Sequence, residues 1–238
     1  MSQDTPSAYL LDVEGTTAPI DFVYRVLFPY ARDRFLPFLA ERASDPEVAA
    51  EVRGLSDEHR RDVAAGQKPP AWEDTPEGAT TYALWLMDRD RKATALKALQ
   101  GRIWEIGFEA NELQASVYDD VTRALSRWQA AGRPVAIYSS GSVRAQKLLF
   151  AHTQAGDLTP QLQAFFDTTT GFKTEPDSYR RIAEAMGQEP AGILFVSDVG
   201  AELDAARSAG LQTALCARSE AMPPAGAHRL VTSFDQLP

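Results

Sequence analysis

The sequence predicts an α/β protein built on a Rossmann-like, doubly wound parallel sheet, with an all-helical segment inserted after the first strand. Residues 119 to 238 alternate short apolar runs with helical periodicity, which is typical of βαβ units. One isolated apolar run, Ala8 to Leu11, lies near the amino terminus, and the chain between these parts is rich in helix formers and aromatic residues. We therefore expect a sheet domain from residues 1–18 and 117–238 and a helical domain from residues 19–116.

Short apolar runs bounded by Gly, Pro or polar residues predict the strands. The runs are Ala8 to Leu11, Pro134 to Tyr138, Gly192 to Val196, Thr213 to Cys216 and, near the carboxyl terminus, Arg229 to Phe234. In an open parallel sheet, ligands bind outside the carboxyl ends of the strands. The segments that follow the first three runs are therefore expected to converge on a functional site.

Apolar residues at helical spacing predict the helices that connect the strands. Asp119 and Asp120 precede one such pattern, as expected of a capped amphipathic helix. A second helix is expected after Ser142. A third carries Pro176 in its first turn and Gly187 beyond its end, the positions at which these residues favour helix boundaries.

Composition and charge exclude several classes of protein. The 238 residues are 44% hydrophobic and 24% charged, which is typical of globular chains and not of disordered or fibrous ones. The formal net charge of −9 has the wrong sign for nucleic acid or an anionic membrane. Cys216 is the single cysteine, which excludes an internal disulfide and favours a reducing compartment, by default the cytoplasm. We expect neither a targeting segment nor a membrane span.

A carboxylate pair follows the first strand. Asp12 and Glu14 are two residues apart, and Gly15 then permits a sharp turn. The period of a strand would place both carboxylates on one face, which suits nucleophilic attack by one and proton transfer by the other. A plain turn uses the same residue types for backbone reasons. This segment taken alone fits both interpretations equally well.

Two later segments of the chain offer hydroxyl and amine groups. The run Ser139-Ser140-Gly141-Ser142 offers hydroxyls and backbone N–H groups for a phosphate, although an N-cap formed by Ser142 explains the run alone at least as well. Lys173 lies in a loop before a helix, where a lysine is usually solvated. The chain has only 5 lysines against 19 arginines, so a lysine at a motif is informative.

A second carboxylate pair follows the strand that ends at Val196. Asp198 and Glu202 are four residues apart, which suits a pair that holds or orients a hard cation through oxygen ligands. A helix N-cap in which the glutamate is the capping partner is the alternative interpretation.

The order of these segments is more informative than any one of them. A strand followed by Asp12-Val-Glu-Gly-Thr16, a strand followed by Ser139, a loop lysine at 173 and a strand followed by Asp198 resemble the four motifs of the haloacid dehalogenase-like phosphatase superfamily. Most members carry a second Asp where this chain has Glu14. The resemblance implies an aspartate nucleophile and identifies the helical insert as a cap domain.

Longer segments narrow the resemblance to one family. The run from Leu11 to Ile20, including Glu14, is similar to the opening of the acireductone synthases, the bifunctional enolase-phosphatases of methionine salvage. The segments 88–104, 138–150 and 178–183 resemble the same family, so the resemblance covers both the sheet and the insert. Phe172 stands where the family often has another residue.

The resemblance implies a reaction and a role for each motif. The family enolises 2,3-diketo-5-methylthiopentyl 1-phosphate and then removes its phosphate, which yields the acireductone 1,2-dihydroxy-3-keto-5-methylthiopentene. By the motif match, Asp12 would attack phosphorus and form an aspartyl-phosphate, and Glu14 would transfer protons. Ser139 and Ser140 would hold the phosphate, and Lys173 would add positive charge.

The resemblance also implies one Mg²⁺ per subunit. Asp12, the main chain at Glu14, and Asp198 would hold the ion together with the phosphate, and Glu202 would orient metal-bound water. The helical insert would close over the site and contact the methylthio tail. If Glu14 were not the base at C1, Lys173 with a depressed pKa or a residue of the insert would take that role.

Three alternatives remain open. A phosphatase of the same superfamily acting on another small phosphoester would use the same motifs. A dehalogenase would keep the aspartate nucleophile but would not need a metal, so the presence of Glu14 and Asp198 argues against this alternative. A non-catalytic module of this fold would be expected to lack Asp12, Glu14 or Lys173. The expected partner is a small phosphorylated diketone, with no nucleic acid or membrane, and we expect a monomer.

Overall fold

The computed structural model describes residues 5–91, 93–218 and 226–238. The chain forms two compact units. One unit contains the chain up to Val23 and again from Gln114 onward, and the other spans Tyr24–Leu113. The first unit contains the sheet and the second is helical.

Among the described residues, six strands form one parallel sheet. They are β1 (Ala8–Leu11), β2 (Val135–Tyr138), β3 (Ala164–Phe166), β4 (Ile193–Ser197), β5 (Gln212–Cys216) and β6 (Arg229–Val231). The spatial order is β3-β2-β1-β4-β5-β6, and every neighbouring pair is parallel. The order reverses at β1, which is the pattern of a doubly wound sheet. The predicted α/β class is confirmed.

The register of the central strands places the candidate segments side by side. Leu11, the last residue of β1, pairs with Ile137 on one side and with Val196 on the other. The residues after β1, β2 and β4 therefore leave the sheet at the same edge.

The helices have the following bounds. They are α1 (Ile20–Phe22), α2 (Phe28–Arg42), α3 (Pro46–Ala64), α4 (Pro76–Met87), α5 (Thr94–Glu109), α6 (Asp119–Ala130), α7 (Val143–Ala151), α8 (Pro176–Met186) and α9 (Gly200–Ser208). A π-helical turn, Val23–Leu27, connects α1 to α2. No helix of the described residues is long and apolar enough to cross a membrane.

Both faces of the sheet are covered, as a parallel sheet requires. On one face, residues of α8 and α9 pack against β1, β2 and β4 in a buried apolar cluster that includes Tyr179 and Phe195. On the other face, the ring of Tyr9 stacks on Trp128 of α6, with ring centroids 3.7 Å apart. Helices therefore cover the sheet on both faces.

Two local expectations differ from the structure. Strand β6 ends at Val231 instead of continuing to Phe234, because Ser233 begins a short 3-10 turn and its hydroxyl accepts from the backbone of Asp235 at 3.1 Å. The aspartates that precede the apolar pattern of α6 do not cap this helix, because the N-cap is Tyr118 and it makes no side-chain capping bond. Asp120 lies within the first turn of α6, where it accepts from the backbone N–H of Phe234 at 2.7 Å.

Strand β3 was not predicted from the sequence. It has three residues, lies at the edge of the sheet and is only partly buried. An edge strand this short carries little of the alternating or continuous apolar pattern from which strands are predicted.

The helical unit has a buried polar network of its own. The Asp62 carboxylate accepts from the Tyr82 hydroxyl at 2.7 Å and from the Arg91 guanidinium at 2.8 Å. Burial raises the pKa of Asp62, but the hydrogen bonds from Tyr82 and Arg91 outweigh burial and lower it. Because both of its oxygens have hydrogen-bond partners, the buried Asp62 carboxylate stays charged without a large desolvation penalty.

Candidate active site

Asp12 directly follows β1 and is buried, with 4% of its surface exposed. Its backbone N–H donates to the carbonyl of Val196 at 3.0 Å, which fixes it to the end of β4. The Thr17 hydroxyl donates to the Asp12 carbonyl at 2.9 Å. Because β1 ends at Leu11, the turn, and not the strand period, sets the placement of Glu14 relative to Asp12.

The turn after Asp12 lies against Asp198. Gly15 has a φ of 74°, a conformation that favours glycine, and a Cβ atom there would collide with the Asp198 carboxylate. Asp198 follows β4 and is half-buried. Burial and the negative charge of Asp12 raise its pKa to about 6. The two carboxylates therefore share one site, as the predicted convergence of the strands requires.

Lys173 lies between two carboxylates. Its Nζ is 2.5 Å from Asp12 Oδ1 and 2.6 Å from Glu202 Oε2, and 9% of its side chain is exposed. Burial by itself lowers the pKa of this ammonium group, but the charges of Asp12 and Glu202 outweigh burial and raise the pKa. The solvated-lysine interpretation is therefore wrong. The suggested depressed pKa is also wrong, and a lysine held in its charged form is a poor base.

The loop that carries Lys173 is anchored through its carbonyl groups. The Tyr179 hydroxyl donates to the Lys173 carbonyl at 2.6 Å, and the Ser178 hydroxyl donates to the Phe172 carbonyl at 2.9 Å. From β2, the Tyr138 hydroxyl donates to the carbonyl of Gly171 at 2.9 Å. The ammonium group is therefore placed by a loop that the sheet and α8 both hold.

Glu202 lies in the first turn of α9 and contacts Lys173. The N-cap of α9 is Val199, with no side-chain capping bond, so the alternative in which Asp198 and Glu202 form a helix cap is wrong. The Ser197 hydroxyl donates to Glu202 Oε2 at 3.0 Å. Burial raises the pKa of Glu202, although the charge of Lys173 and the hydrogen bond from Ser197 act in the opposite direction.

The serine run forms the junction between β2 and α7. Ser139 is buried, and its hydroxyl accepts from the N–H of Gly141 at 3.1 Å. The Ser142 hydroxyl accepts from the N–H of Ala145 at 3.3 Å, so the N-cap interpretation is correct for Ser142. Ser139 and the half-buried Ser140 leave the sheet beside Asp12, because β2 is the neighbour of β1.

Sequence reasoning missed Gln146, which supports this junction from α7. Its side-chain N–H₂ group donates to the carbonyl of Gly141 at 2.8 Å and to that of Phe166, at the end of β3, at 2.9 Å. Only 3% of Gln146 is exposed. Its position one turn after Ser142 gives no signal in the sequence, because a glutamine there is equally common on a solvated helix face.

The oxygen donors at this edge fit a small hard cation. Asp12 and Asp198 offer carboxylates, and the main chain at Glu14 belongs to the turn after Asp12. Because Gly15 has no side chain, the Asp198 carboxylate can lie against this turn. Within the described ranges, no group of three or more His, Cys, Asp or Glu side chains is placed to bind a metal ion. The expected site does not require three side chains, because its ligands are two carboxylates and one main-chain oxygen.

The chain is similar to known proteins over nearly its whole length. A family model described as haloacid dehalogenase-like hydrolase matches residues 6–210. The enolase-phosphatase E1 of Synechococcus elongatus is 51% identical over 96% of each chain. The enolase-phosphatase E1 of Persephonella marina is 42% identical over 97% of each chain.

Solved structures share the fold of this chain. The UTR4 protein of Saccharomyces cerevisiae superposes with a TM-score of 0.78 at 34% identity, covering 98% of this chain and 100% of that one. CbbY of Rhodobacter sphaeroides has a TM-score of 0.60 over 98% of this chain and 96% of its own, and at 18% identity it shows the fold alone. The chain belongs to the haloacid dehalogenase-like hydrolases and, within them, to the enolase-phosphatase family.

Proposed function

We propose that this chain is an acireductone synthase, which converts 2,3-diketo-5-methylthiopentyl 1-phosphate to 1,2-dihydroxy-3-keto-5-methylthiopentene and phosphate in methionine salvage. The observation that carries the proposal is the contact of Lys173 Nζ with Asp12 Oδ1 at 2.5 Å. Asp198 lies against the turn that follows Asp12, and the chain is 51% identical to an enolase-phosphatase. This arrangement supplies a carboxylate nucleophile with a fixed positive charge beside it.

In the enolase step, Glu14 removes a proton from C1 of the substrate, and the electron pair moves toward the C2 carbonyl. In the phosphatase step, an oxygen of Asp12 attacks phosphorus and the bond from phosphorus to the C1 oxygen breaks. Glu14 returns its proton to the departing C1 oxygen, and the enolate oxygen at C2 takes a proton from solvent. Water then cleaves the aspartyl-phosphate, which releases phosphate and regenerates Asp12.

The other residues place and neutralise charge. The hydroxyls of Ser139 and Ser140, in the junction between β2 and α7, bind the phosphate oxygens. Lys173 opposes the negative charge that accumulates on the phosphate and on Asp12. Asp12, the main chain at Glu14 and Asp198 would hold Mg²⁺, which supplies a Lewis acid for the carbonyl and phosphate oxygens.

We further propose that the protein binds one Mg²⁺ per subunit, is a monomer and lies in the cytoplasm. Glu202, which contacts Lys173, is proposed as an auxiliary acid. The single cysteine supports the location, because a chain without disulfides suits a reducing compartment. The helical unit is proposed to exclude water during the reaction.

The test is phosphate release from the diketo substrate with and without Mg²⁺. We expect release with Mg²⁺, loss of release in excess EDTA and recovery when Mg²⁺ is added back, because the acidic cluster repels a phosphate unless a cation intervenes. Full activity in EDTA would overturn the metal assignment. Release from other phosphoesters but not from the diketo compound would favour a phosphatase of different specificity.

Two variants separate the enolase step from the phosphatase step. In deuterated water, Asp12→Asn is expected to stop phosphate release and still incorporate some deuterium at C1, whereas Glu14→Gln is expected to lose both signals. Mass spectrometry follows the deuterium, and a phosphate assay follows release. If metal-saturated Glu14→Gln exchanged the C1 hydrogen at the wild-type rate, another residue would be the base. That residue would not be Lys173, because its raised pKa keeps it protonated.

A further inference from the structure

Ser197 is a polar residue in an otherwise apolar strand. Strand β4 has the sequence Ile-Leu-Phe-Val-Ser, and all five residues are buried. The Ser197 side chain is fully buried, at 0% exposure, yet it adds little to the apolar core. A residue that breaks the local apolar pattern without a packing gain is expected at a functional site.

The Ser197 hydroxyl has contacts on three sides. Its Oγ accepts from the N–H of Val199 at 3.1 Å. It lies 3.0 Å from Glu202 Oε2 and 3.4 Å from Asp12 Oδ2. The hydroxyl has one proton to donate, and the shorter distance directs that proton to Glu202.

These contacts connect Ser197 to the nucleophile through Glu202 and Lys173. Lys173 Nζ joins Asp12 Oδ1 to Glu202 Oε2, and the Ser197 hydroxyl donates to the same Glu202 oxygen. Asp12 Oδ2 lies 3.4 Å from Ser197 Oγ but does not receive its proton. If the carboxylate rotated, Oδ1 would leave Lys173, and if Glu202 moved, Lys173 would lose its second anchor.

We propose that Ser197 is a positioning residue, which holds Glu202 against Lys173 and thereby fixes the orientation of the Asp12 carboxylate for attack on phosphorus. The inference rests on the proposed phosphatase activity and adds to it a residue that never touches substrate. Because misplacement of a nucleophile by a fraction of an ångström slows the chemical step more than it weakens binding, the effect should fall on kcat.

The test compares Ser197→Ala with the wild type in phosphate release. We expect kcat to fall about 10- to 100-fold while KM changes by no more than about 3-fold. Ser126→Ala is the matched control, because Ser126 is exposed on α6 and its hydroxyl contacts only the carbonyl of Thr122 among the described contacts. The control variant is expected to keep wild-type kcat.

A second pair of variants separates the hydroxyl from packing. Ser197→Thr keeps the hydroxyl and Ser197→Val has nearly the same shape without it, so any strain from the added methyl group is common to both. We expect the kcat of the threonine variant to be about 10-fold higher than that of the valine variant. The melting temperatures of the two variants are expected to be equal. In a Glu202→Gln background, removal of the Ser197 hydroxyl should have a much smaller effect, because the two side chains act as one unit.

Equal kcat for the threonine and valine variants, or wild-type kcat for the alanine variant, would overturn the inference. The wild-type enzyme separates this failure from a failure of the proposed function. If wild type releases no phosphate from the diketo substrate, the proposed function fails. If wild type is active and the hydroxyl has no effect, only the role of Ser197 fails.

Discussion

At the scale of single residues, the Lys173 ammonium group shows how burial and charge compete. Burial disfavours its charged form, while Asp12 and Glu202 favour it, and the carboxylates prevail. The same two carboxylates would repel each other without the lysine between them. Lys173 is therefore expected to hold the site together before the substrate arrives and to neutralise the phosphate during the reaction.

We expect Lys173→Met to lower kcat/KM for phosphate release at least 100-fold, because a fixed charge in a site shielded from water acts strongly on a developing anion. Steady-state kinetics measures the loss, and circular dichroism checks the fold. Lys147→Met is the control, since Lys147 is exposed on α7. A loss no larger than that of the control would show that the buried ammonium group does not take part in the reaction.

At the scale of elements, a buried side-chain amide supports the junction between β2 and α7. Gln146 donates to the carbonyls of Gly141 and Phe166 and thereby ties the serine run to the edge strand β3. The backbone groups of a loop need such partners, because buried carbonyls without a donor are costly. The proposed phosphate-binding segment is therefore supported by α7 in two ways, through the helix N-terminus and through this side chain.

We expect Gln146→Leu to lower the free energy of unfolding by about 1–2 kcal/mol, because the Gly141 carbonyl loses its side-chain donor and the Phe166 carbonyl keeps only the N–H of Ser139, while the side-chain volume is nearly kept. Urea unfolding measures this change. Weaker inhibition by inorganic phosphate should accompany it if the serine run binds phosphate. Lys147→Leu, a substitution at the next, exposed position, is the control. Equal stability of the two variants would contradict the supporting role.

At the scale of the whole molecule, the site lowers the stability of the metal-free fold. Asp198 has a pKa of about 6 in the folded chain, raised from 3.8 by burial and by Asp12. Between these two values the folded state binds more protons than the unfolded state, so the stability of the metal-free protein falls as pH rises through this window. Above about pH 7 this destabilising contribution is complete.

Asp198→Asn removes the charge and keeps the shape of the side chain. Relative to the wild type, we expect the metal-free variant to gain about 1–2 kcal/mol of unfolding free energy between pH 4.5 and pH 7.5, after allowance for solvent screening of a half-buried group. Urea unfolding of both proteins at the two pH values gives the difference. A stability difference that does not change with pH would contradict the raised pKa.

The fold class and most of the strands follow from local patterns in the sequence. The apolar runs predict β1, β2, β4 and β5 because these strands are buried, and an uninterrupted apolar run is a local property that can be read without knowing what covers it. The order of the motifs likewise singled out Asp12, Lys173 and Asp198 as candidates, because each follows a local boundary between elements.

The packing of distant segments sets which of these residues meet and what supports them. Lys173 and Asp12 are 161 positions apart, and their contact depends on the strand order of the sheet. Gln146 and Ser197 gave no signal, because the carbonyls and carboxylates they contact come from other segments. Periodicity reports whether a residue is buried, but hydrogen bonds between distant segments are set by the packing of whole elements.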